Sequence, residues 1–524
     1  MGAIATFWSR IRISDAVLYG LSAAFAALTA VTSTLLPHRA WGAVAWWGYA
    51  AAFLITFVVL RRLLLTFAVF AAVTLVPLVT QAVQRAGGRI DRAQEEVHVV
   101  EQMGQRLLDT GTPYLDRPAI AALPEPERLL GYSPYQPGMA IFGIPRAVLG
   151  DHWWTDARVW FAAATIAALL WTLRLLAGLV APPGLVLVAQ SIAVLPICTL
   201  TLTTGGDDLP VVSLAVLAMA FTARHRWVAA GVTIGLAGAL KLFALPAAVV
   251  LLVLAFQPAG WFSRPRRGAA PASPGAVSQA SGGVSSALSG AASSGAASSA
   301  FPGGASSALA SGASPALAGG DSSALAGSDS SALASGASSA LAGSDSSAVA
   351  GGASSALAGG DSLTGGAPSA GAVRRAALFA LGAFGLPLMV MLPALAVAPS
   401  AFVENVLRFP AGHGLVTSPA QSPLPGQLIA SSIGAGRTIA LSLLVAAGLA
   451  IGVWLLRRPP QNTGSAALVV ALGLTAAIML IPSTRFGYLL YPAAFAALWW
   501  ALRQPAARAP NQPTDIWPAT SGAA

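Results

Sequence analysis

Residues 91–137 read DRAQEEVHVVEQMGQRLLDTGTPYLDRPAIAALPEPERLLGYSPYQP, the longest charged and polar stretch between two hydrophobic blocks of the chain. Asp91, Glu95, Glu96, Glu101, Asp109, Asp116, Glu125 and Glu127 fall within it, eight of the 19 acidic residues. The chain as a whole is 56% hydrophobic and only 9% charged. Acids gathered in one place on such a background predict a water-facing catalytic loop, residues 81–137, set against a membrane-embedded body. Within the loop, Val97, Val100, Met103 with Gly104, and Leu107 recur at helical spacing, which predicts a helix over 95–108. The sequence GTPY at 111–114 supplies the residues that stop it.

Working outward, apolar runs repeat along the 524 residues at close to the length of about 20 that a bilayer requires. Mean hydropathy is +0.70. The fold class expected is therefore an all-α polytopic membrane protein. Three spans are expected before the loop, over residues 16–36, 43–60 and 63–79. The apolar segment 138–149 is too short to span and reads as re-entrant or interfacial. Further spans are expected over 159–180, 185–202, 209–222, 228–240, 242–256, 376–398, 438–456, 466–481 and 488–502, about twelve in all. Arg61–Arg62, Arg224, Arg226, Arg374–Arg375, Arg457–Arg458 and Arg503 then fall on one side with both termini, as the positive-inside bias requires. The first apolar run follows Arg10 and Arg12 without a clear cleavage site and is expected to remain as an anchor.

This divides the chain into an N-terminal membrane block, 1–256, a segment 257–375, a C-terminal membrane block, 376–503, with an outer loop at 399–436, and a cytoplasmic tail, 504–524. Residues 268–371 are rich in Ala, Gly and Ser and repeat units such as GDSSALA and GSDSSALA. Such units bury too little to form a core, so a disordered cytoplasmic linker is expected.

The net charge of +10 comes from cations at the ends of apolar runs. No basic stripe with interleaved aromatics is present, so nucleic acid is excluded as a partner. The single Cys198 cannot form an intrachain disulfide. There is no P-loop, no dinucleotide fingerprint and no His/Cys/Asp cluster at metal-ligand spacing, so neither cofactor nor metal is expected.

The charge rule places Asp91, Glu95, Glu96, Asp207, Asp208, Lys241, Glu404, Arg408, His413, Arg485 and Tyr488 on the outer side. Carboxylates facing Arg and Lys at a membrane surface suit chemistry on a lipid phosphate. A carboxylate can take the proton of an acceptor hydroxyl, and arginine can hold a phosphate through two parallel hydrogen bonds. Arg485 stands out because the same rule disfavours Arg on the outer side.

These residues resemble the polyprenyl-phosphate-sugar-dependent glycosyltransferases of the GT-C superfamily, most closely the actinobacterial members of glycosyltransferase family 87. The likeness is carried by EVHV at 96–99, LLDTGTPY at 107–114, YSPYQP at 132–137, GGDDLP at 205–210, 231–241, FVENVLRFP at 402–410 and STRFGY at 483–488. It covers most of the chain outside the linker. It implies an inverting transfer of a sugar, mannose first, from a polyprenyl-phosphate carrier to an envelope lipid or glycan at the outer face of a bacterial plasma membrane. The family's usual acid is Asp with Tyr four positions later, whereas this chain has Glu96 and Val100 in that register. Glu96 is therefore the first candidate base, with Glu95 and Asp91 as alternatives. Arg485, Arg408 and Lys241 are candidates for the carrier phosphate, Asp207 and Asp208 for sugar or acceptor. Tyr488, His413 and Tyr114 complete the candidate substrate site. The alternative is a multi-span transporter of a lipid or small solute. That alternative expects two related halves with matching broken helices, and no such pair is legible in the sequence. A third possibility is a scaffold that uses the Ala/Gly/Ser insert.

Overall fold

The computed structural model describes residues 2–59, 61–257 and 369–506, with side chains described from residue 13 onward. The expected linker and the tail beyond residue 506 therefore lie outside the described residues. Among the described residues the structure is helical, with only isolated β-bridges. Among the described residues, six helices are long and apolar enough to cross a membrane: Ile13–Thr32, Arg62–Ala86, Ala157–Leu176, Ala370–Val397, Gly436–Arg457 and Thr463–Leu480. A bent pair, Pro182–Ala193 with Pro196–Thr204, raises the number to seven. Asp208–Ala223, Trp227–Leu240, Leu242–Ala255 and Phe486–Leu502 are shorter apolar helices. Leu441, Leu443, Val445, Leu449 and Val453 of Gly436–Arg457 stay exposed. Such a face would be unstable in water and needs lipid beside it. The chain is a multi-pass membrane protein.

The expected continuous span 185–202 is instead broken, with a 40° bend between its two helices. Pro196 has no N–H to continue the ladder, and its ring obstructs the preceding turn. The Tyr49 hydroxyl donates to the carbonyl of Val194 at 2.6 Å and so satisfies an acceptor at the break. A second interruption lies at Lys241, which is extended (φ −156°, ψ 140°) between Trp227–Leu240 and the turn that begins at Leu242. The break at Pro196 was not expected, whereas the interruption at Lys241 falls between the two expected apolar pieces 228–240 and 242–256.

The acidic helix forms over Glu95–Thr110. Glu95 and Glu96 occupy its first turn, where carboxylates face the positive end of the helix dipole. Gly111 closes it in the left-handed conformation (φ 74°), and its N–H donates to the carbonyl of Leu107. Val97, Val100, Met103 and Gly104 are buried, as the periodicity predicts. Gly104 and Gly143 let the helix lie directly on the segment Pro137–Leu149. A Cβ on Gly104 would stand 2.3 Å from the Gly143 carbonyl carbon, and one on Gly143 would stand 2.2 Å from the Val100 oxygen. The 138–149 segment is a 3-10 turn, Pro137–Phe142, followed by a short helix, Ile144–Leu149.

Candidate active site

The turns expected on the outer side meet at one end of the bundle. The Gln94 N–H donates to the Thr204 carbonyl at 2.9 Å, and the Thr204 hydroxyl donates to Gln94 Oε1 at 2.9 Å. The Gln136 N–H reaches the Leu240 carbonyl (3.2 Å), and the Ser422 N–H reaches the Thr484 carbonyl (2.9 Å). At the other end, Arg224 donates to the carbonyls of Leu175 and Ala177, and Arg375 to that of Ala255.

Within the first end, Glu96 and Arg485 form an ion pair across 389 residues of sequence. The Glu96 side chain is 14% exposed and that of Arg485 34%, so both can meet a ligand. Gly205 lies beside Gln94 and Glu96, and a Cβ there would stand 3.0 Å from Gln94 Oε1. Lys241 Nζ donates to Asp207 Oδ2 at 2.7 Å and to Asp208 Oδ1 at 2.5 Å, all three being buried. The Tyr491 hydroxyl also donates to Asp208 Oδ1 at 2.7 Å. The Lys241 ammonium lies 5.3 Å from the Tyr135 ring and 5.4 Å from that of Tyr488, close enough for cation–π attraction. Tyr488 follows Arg485 by one helical turn and so joins the two groups. The structure thus brings together Glu96, Arg485, Tyr488, Lys241, Asp207 and Asp208. Gln136 sits at the same place, and its buried Oε1 has no hydrogen-bond partner among the described residues. It is an acceptor available to a ligand hydroxyl or a water.

Charge separates the cations. One ammonium shared by two carboxylates already has its charge matched, which leaves Lys241 less free than Arg485 to take a phosphate. Arg485 has one carboxylate partner, which an arriving phosphate can displace.

Arg408 and His413 belong to a second group. Glu404 takes Arg117 at 2.8 Å and Arg408 at 3.4 Å, and it accepts from the Tyr132 hydroxyl at 2.9 Å. Two arginines on one carboxylate leave a net positive charge at the water boundary, with the Arg408 side chain 52% exposed. His413 enters through its backbone carbonyl, which accepts from Arg117 at 2.9 Å. Asn405 fastens this group to the loop: its Oδ1 accepts from the Ser133 N–H, and its Nδ2 donates to the carbonyls of Leu115 and Ala401. Glu404, Asn405 and Arg408 lie in a π-helical turn, Val403–Arg408, a geometry frequent at functional sites. Tyr114 links the two groups, with its hydroxyl donating to the Tyr135 carbonyl at 2.7 Å and its ring edge-on to Phe402.

Of the alternative bases, Glu95 is exposed on the helix. Asp91 is engaged by Arg89 and Arg92, both at 2.9 Å, and these arginines hold its carboxyl below the usual range.

Sequence reasoning missed a buried network behind the acidic helix. Arg158, 0% exposed, grips Asp156 through Nε (2.9 Å) and Nη2 (2.7 Å). Its Nη1 donates to the carbonyls of Arg92 (2.7 Å) and Thr203 (3.0 Å). These carbonyls lie on the two turns that lead to Glu96 and to Asp207. Arg85 bridges Glu101 and Asp156 and donates to His98 Nδ1 at 3.1 Å. A guanidinium has only donors, so that nitrogen is the acceptor and His98 is neutral. Burial, with Arg85 beside it, pulls the His98 imidazole down to about 4. The sequence offered one signal, Asp156 and Arg158 at the head of an apolar run. His38, beside Gln94 and also held down by burial, offered none.

Residues 134–293 match the sequence model of Glycosyltransferase family 87. The match takes in Tyr135, Asp207, Asp208 and Lys241; Glu96 and Arg485 lie on either side of it. No curated protein and no solved structure gave a match. Together with the apolar helices, the family match supports a membrane-embedded glycosyltransferase similar to that family.

Proposed function

We propose that the protein transfers a hexose, mannose first, from a polyprenyl-phosphate carrier to an envelope lipid or glycan. The reaction takes place at the outer face of a bacterial plasma membrane. The observation that carries this is the family 87 match over the segment that holds the Asp207–Asp208–Lys241 cluster, with Glu96 and Arg485 packed at the same end of the bundle. About twelve crossings, with both termini cytoplasmic and residues 81–137 extracytoplasmic, agree with the gathering of turns at the two ends of the bundle.

In the proposed step Arg485 takes the carrier phosphate in a bidentate grip, and Glu96, released from its ion pair, receives the acceptor's hydroxyl proton. The acceptor oxygen bonds to the anomeric carbon as the carbon–oxygen bond to phosphate breaks. The electron pair leaves on polyprenyl monophosphate, whose developing charge Arg485 stabilises, with Arg408 and Arg117 near the water boundary. One displacement inverts the anomeric configuration. Asp207 and Asp208 accept from sugar hydroxyls and fix the ring for in-line attack.

The broken helices give one observation in favour of a transporter. The family match outweighs it, and the same experiment separates the two. Protein in lipid vesicles is given labelled polyprenyl-phosphate hexoses and, separately, nucleotide sugars, and the anomeric configuration of any product is read by NMR. Inverted product from the lipid carrier alone supports the proposal. Product from a nucleotide sugar, or movement of the carrier across the bilayer without transfer, contradicts it.

A further inference from the structure

A cavity of about 400 Å³ lies between the acidic helix and the segment that follows it, lined by Gln102, Gln105, Arg106, Leu123, Glu127 and Leu130. We infer that it holds the sugar portion of the acceptor, one to three helical turns along from Glu96. This rests on the glycosyltransferase reading and names its acceptor subsite.

The volume is within the usual range for a small-molecule site. Every lining residue lies between 102 and 131, and none comes from a membrane-crossing helix. The cavity therefore lies apart from the spans beside which a lipid carrier would run, and its mostly apolar lining carries four polar side chains. Gln102, Gln105, Arg106 and Glu127 offer amide, guanidinium and carboxylate groups, a mixture that pairs with neighbouring hydroxyls. Leu123 and Leu130 give an apolar wall for the C–H face of a sugar ring. Arg106 is the anchor. Burial lowers its guanidinium to about 10, and no carboxylate lies within 4.0 Å of it among the described residues. It donates to Gln102 Oε1 at 2.8 Å, while its reach to the Gly131 carbonyl and the Ser133 hydroxyl is long, 3.4 Å each. A half-buried guanidinium with weakly used donors can take hydroxyl acceptors from a ligand. Glu127 on the same wall disfavours an anion, so a neutral sugar fits better than a phosphate.

Residues 102–106 follow Glu96 on one helix by six to ten positions, or about 9–15 Å at the α-helical rise. An acceptor whose inner sugar sits in the cavity can present an outer hydroxyl at Glu96. Longer acceptors should therefore bind through this cavity, and single sugars should not.

The test measures binding and turnover separately on the full chain. Binding uses fluorescent neutral hexose oligosaccharides, free and lipid-linked, against the parent, Glu127→Ala, Gln105→Ala and Arg106→Gln. Glu127 and Gln105 are exposed and their variants should fold even where Arg106→Gln does not. Expected are a loss of oligosaccharide affinity of about tenfold in the variants and an unchanged donor KM. A preference for free over lipid-linked ligands would identify the source as a glycan; the reverse would identify a glycolipid headgroup. Equal affinity in parent and exposed-site variants, or no oligosaccharide binding by the parent, overturns the inference. A parent that binds oligosaccharide but consumes no carrier-linked sugar overturns the glycosyltransferase reading instead.

Discussion

Replacing Arg158 with methionine should separate the scaffold of the site from its chemistry. The side chain is 0% exposed and makes four hydrogen bonds, two to the Asp156 carboxylate and one each to the carbonyls of Arg92 and Thr203. Methionine keeps much of the aliphatic length and removes every donor. Breaking a buried ion pair by removing one partner costs about 3–5 kcal/mol. Arg85 still holds Asp156 at 3.0 Å, which softens the loss, but two buried carbonyls lose a donor at about 1 kcal/mol or more each. A destabilisation of about 4 kcal/mol follows from these two costs, with Arg158→Lys in between because an ammonium cannot span the fork. Thermal and denaturant unfolding of the detergent-solubilised protein would measure it. Transfer per folded molecule should fall as well, since the Arg92 and Thr203 turns carry Glu96 and Asp207 into place. An Arg158→Met variant within about 1 kcal/mol of the parent and equally active would refute the reasoning.

Other outcomes follow from the same geometry. His98 stays neutral in the folded protein down to about 4, while an unfolded imidazole protonates near 6.5. The unfolded chain thus takes up the proton first, and stability should fall as pH drops from about 6.5 to about 4. The loss is about 2 kcal/mol after allowing for partial exposure; His98→Gln should flatten that slope in an unfolding series across pH. Lys241→Met leaves Asp207 and Asp208 buried without their cation and should cost about 3–5 kcal/mol. Adding Asp208→Asn should restore part of the melting temperature. Gly104→Ala forces the acidic helix off the Gly143 backbone and should cost about 2 kcal/mol, with lower transfer and little change in carrier binding.

The acidic helix and its Gly111 stop were legible because their signals are local: a 3.6-residue apolar rhythm and a left-handed glycine. The interruption at Lys241 was legible as a lone cation between apolar runs. The break at Pro196 was marked in the sequence but masked by the apolar run around it. The partners of the site were not legible. Arg485 finds Glu96, and Lys241 finds Asp207 and Asp208, only once distant helices pack, and no periodicity encodes such pairs. The outer placement of these groups was expected from charge bias, and they do meet at one end of the bundle. Their mutual pairing was not expected; of the three cations named for the carrier phosphate, Arg485, Arg408 and Lys241, it leaves Lys241 the least free. Arg158 and Asp156 were passed over because a charged pair at the head of an apolar run looks like a helix end at the interface, whereas here it is buried.

The most direct measurement compares the parent with Glu96→Gln, Glu95→Gln and Asp91→Asn in vesicles supplied with a labelled polyprenyl-phosphate hexose and acceptor lipid. Glutamine keeps the shape at position 96 and a hydrogen bond to Arg485 but cannot take a proton. The expected result is loss of transfer by about a hundredfold or more in Glu96→Gln alone, with carrier binding retained. Full transfer by Glu96→Gln would contradict the assignment of Glu96 as the base.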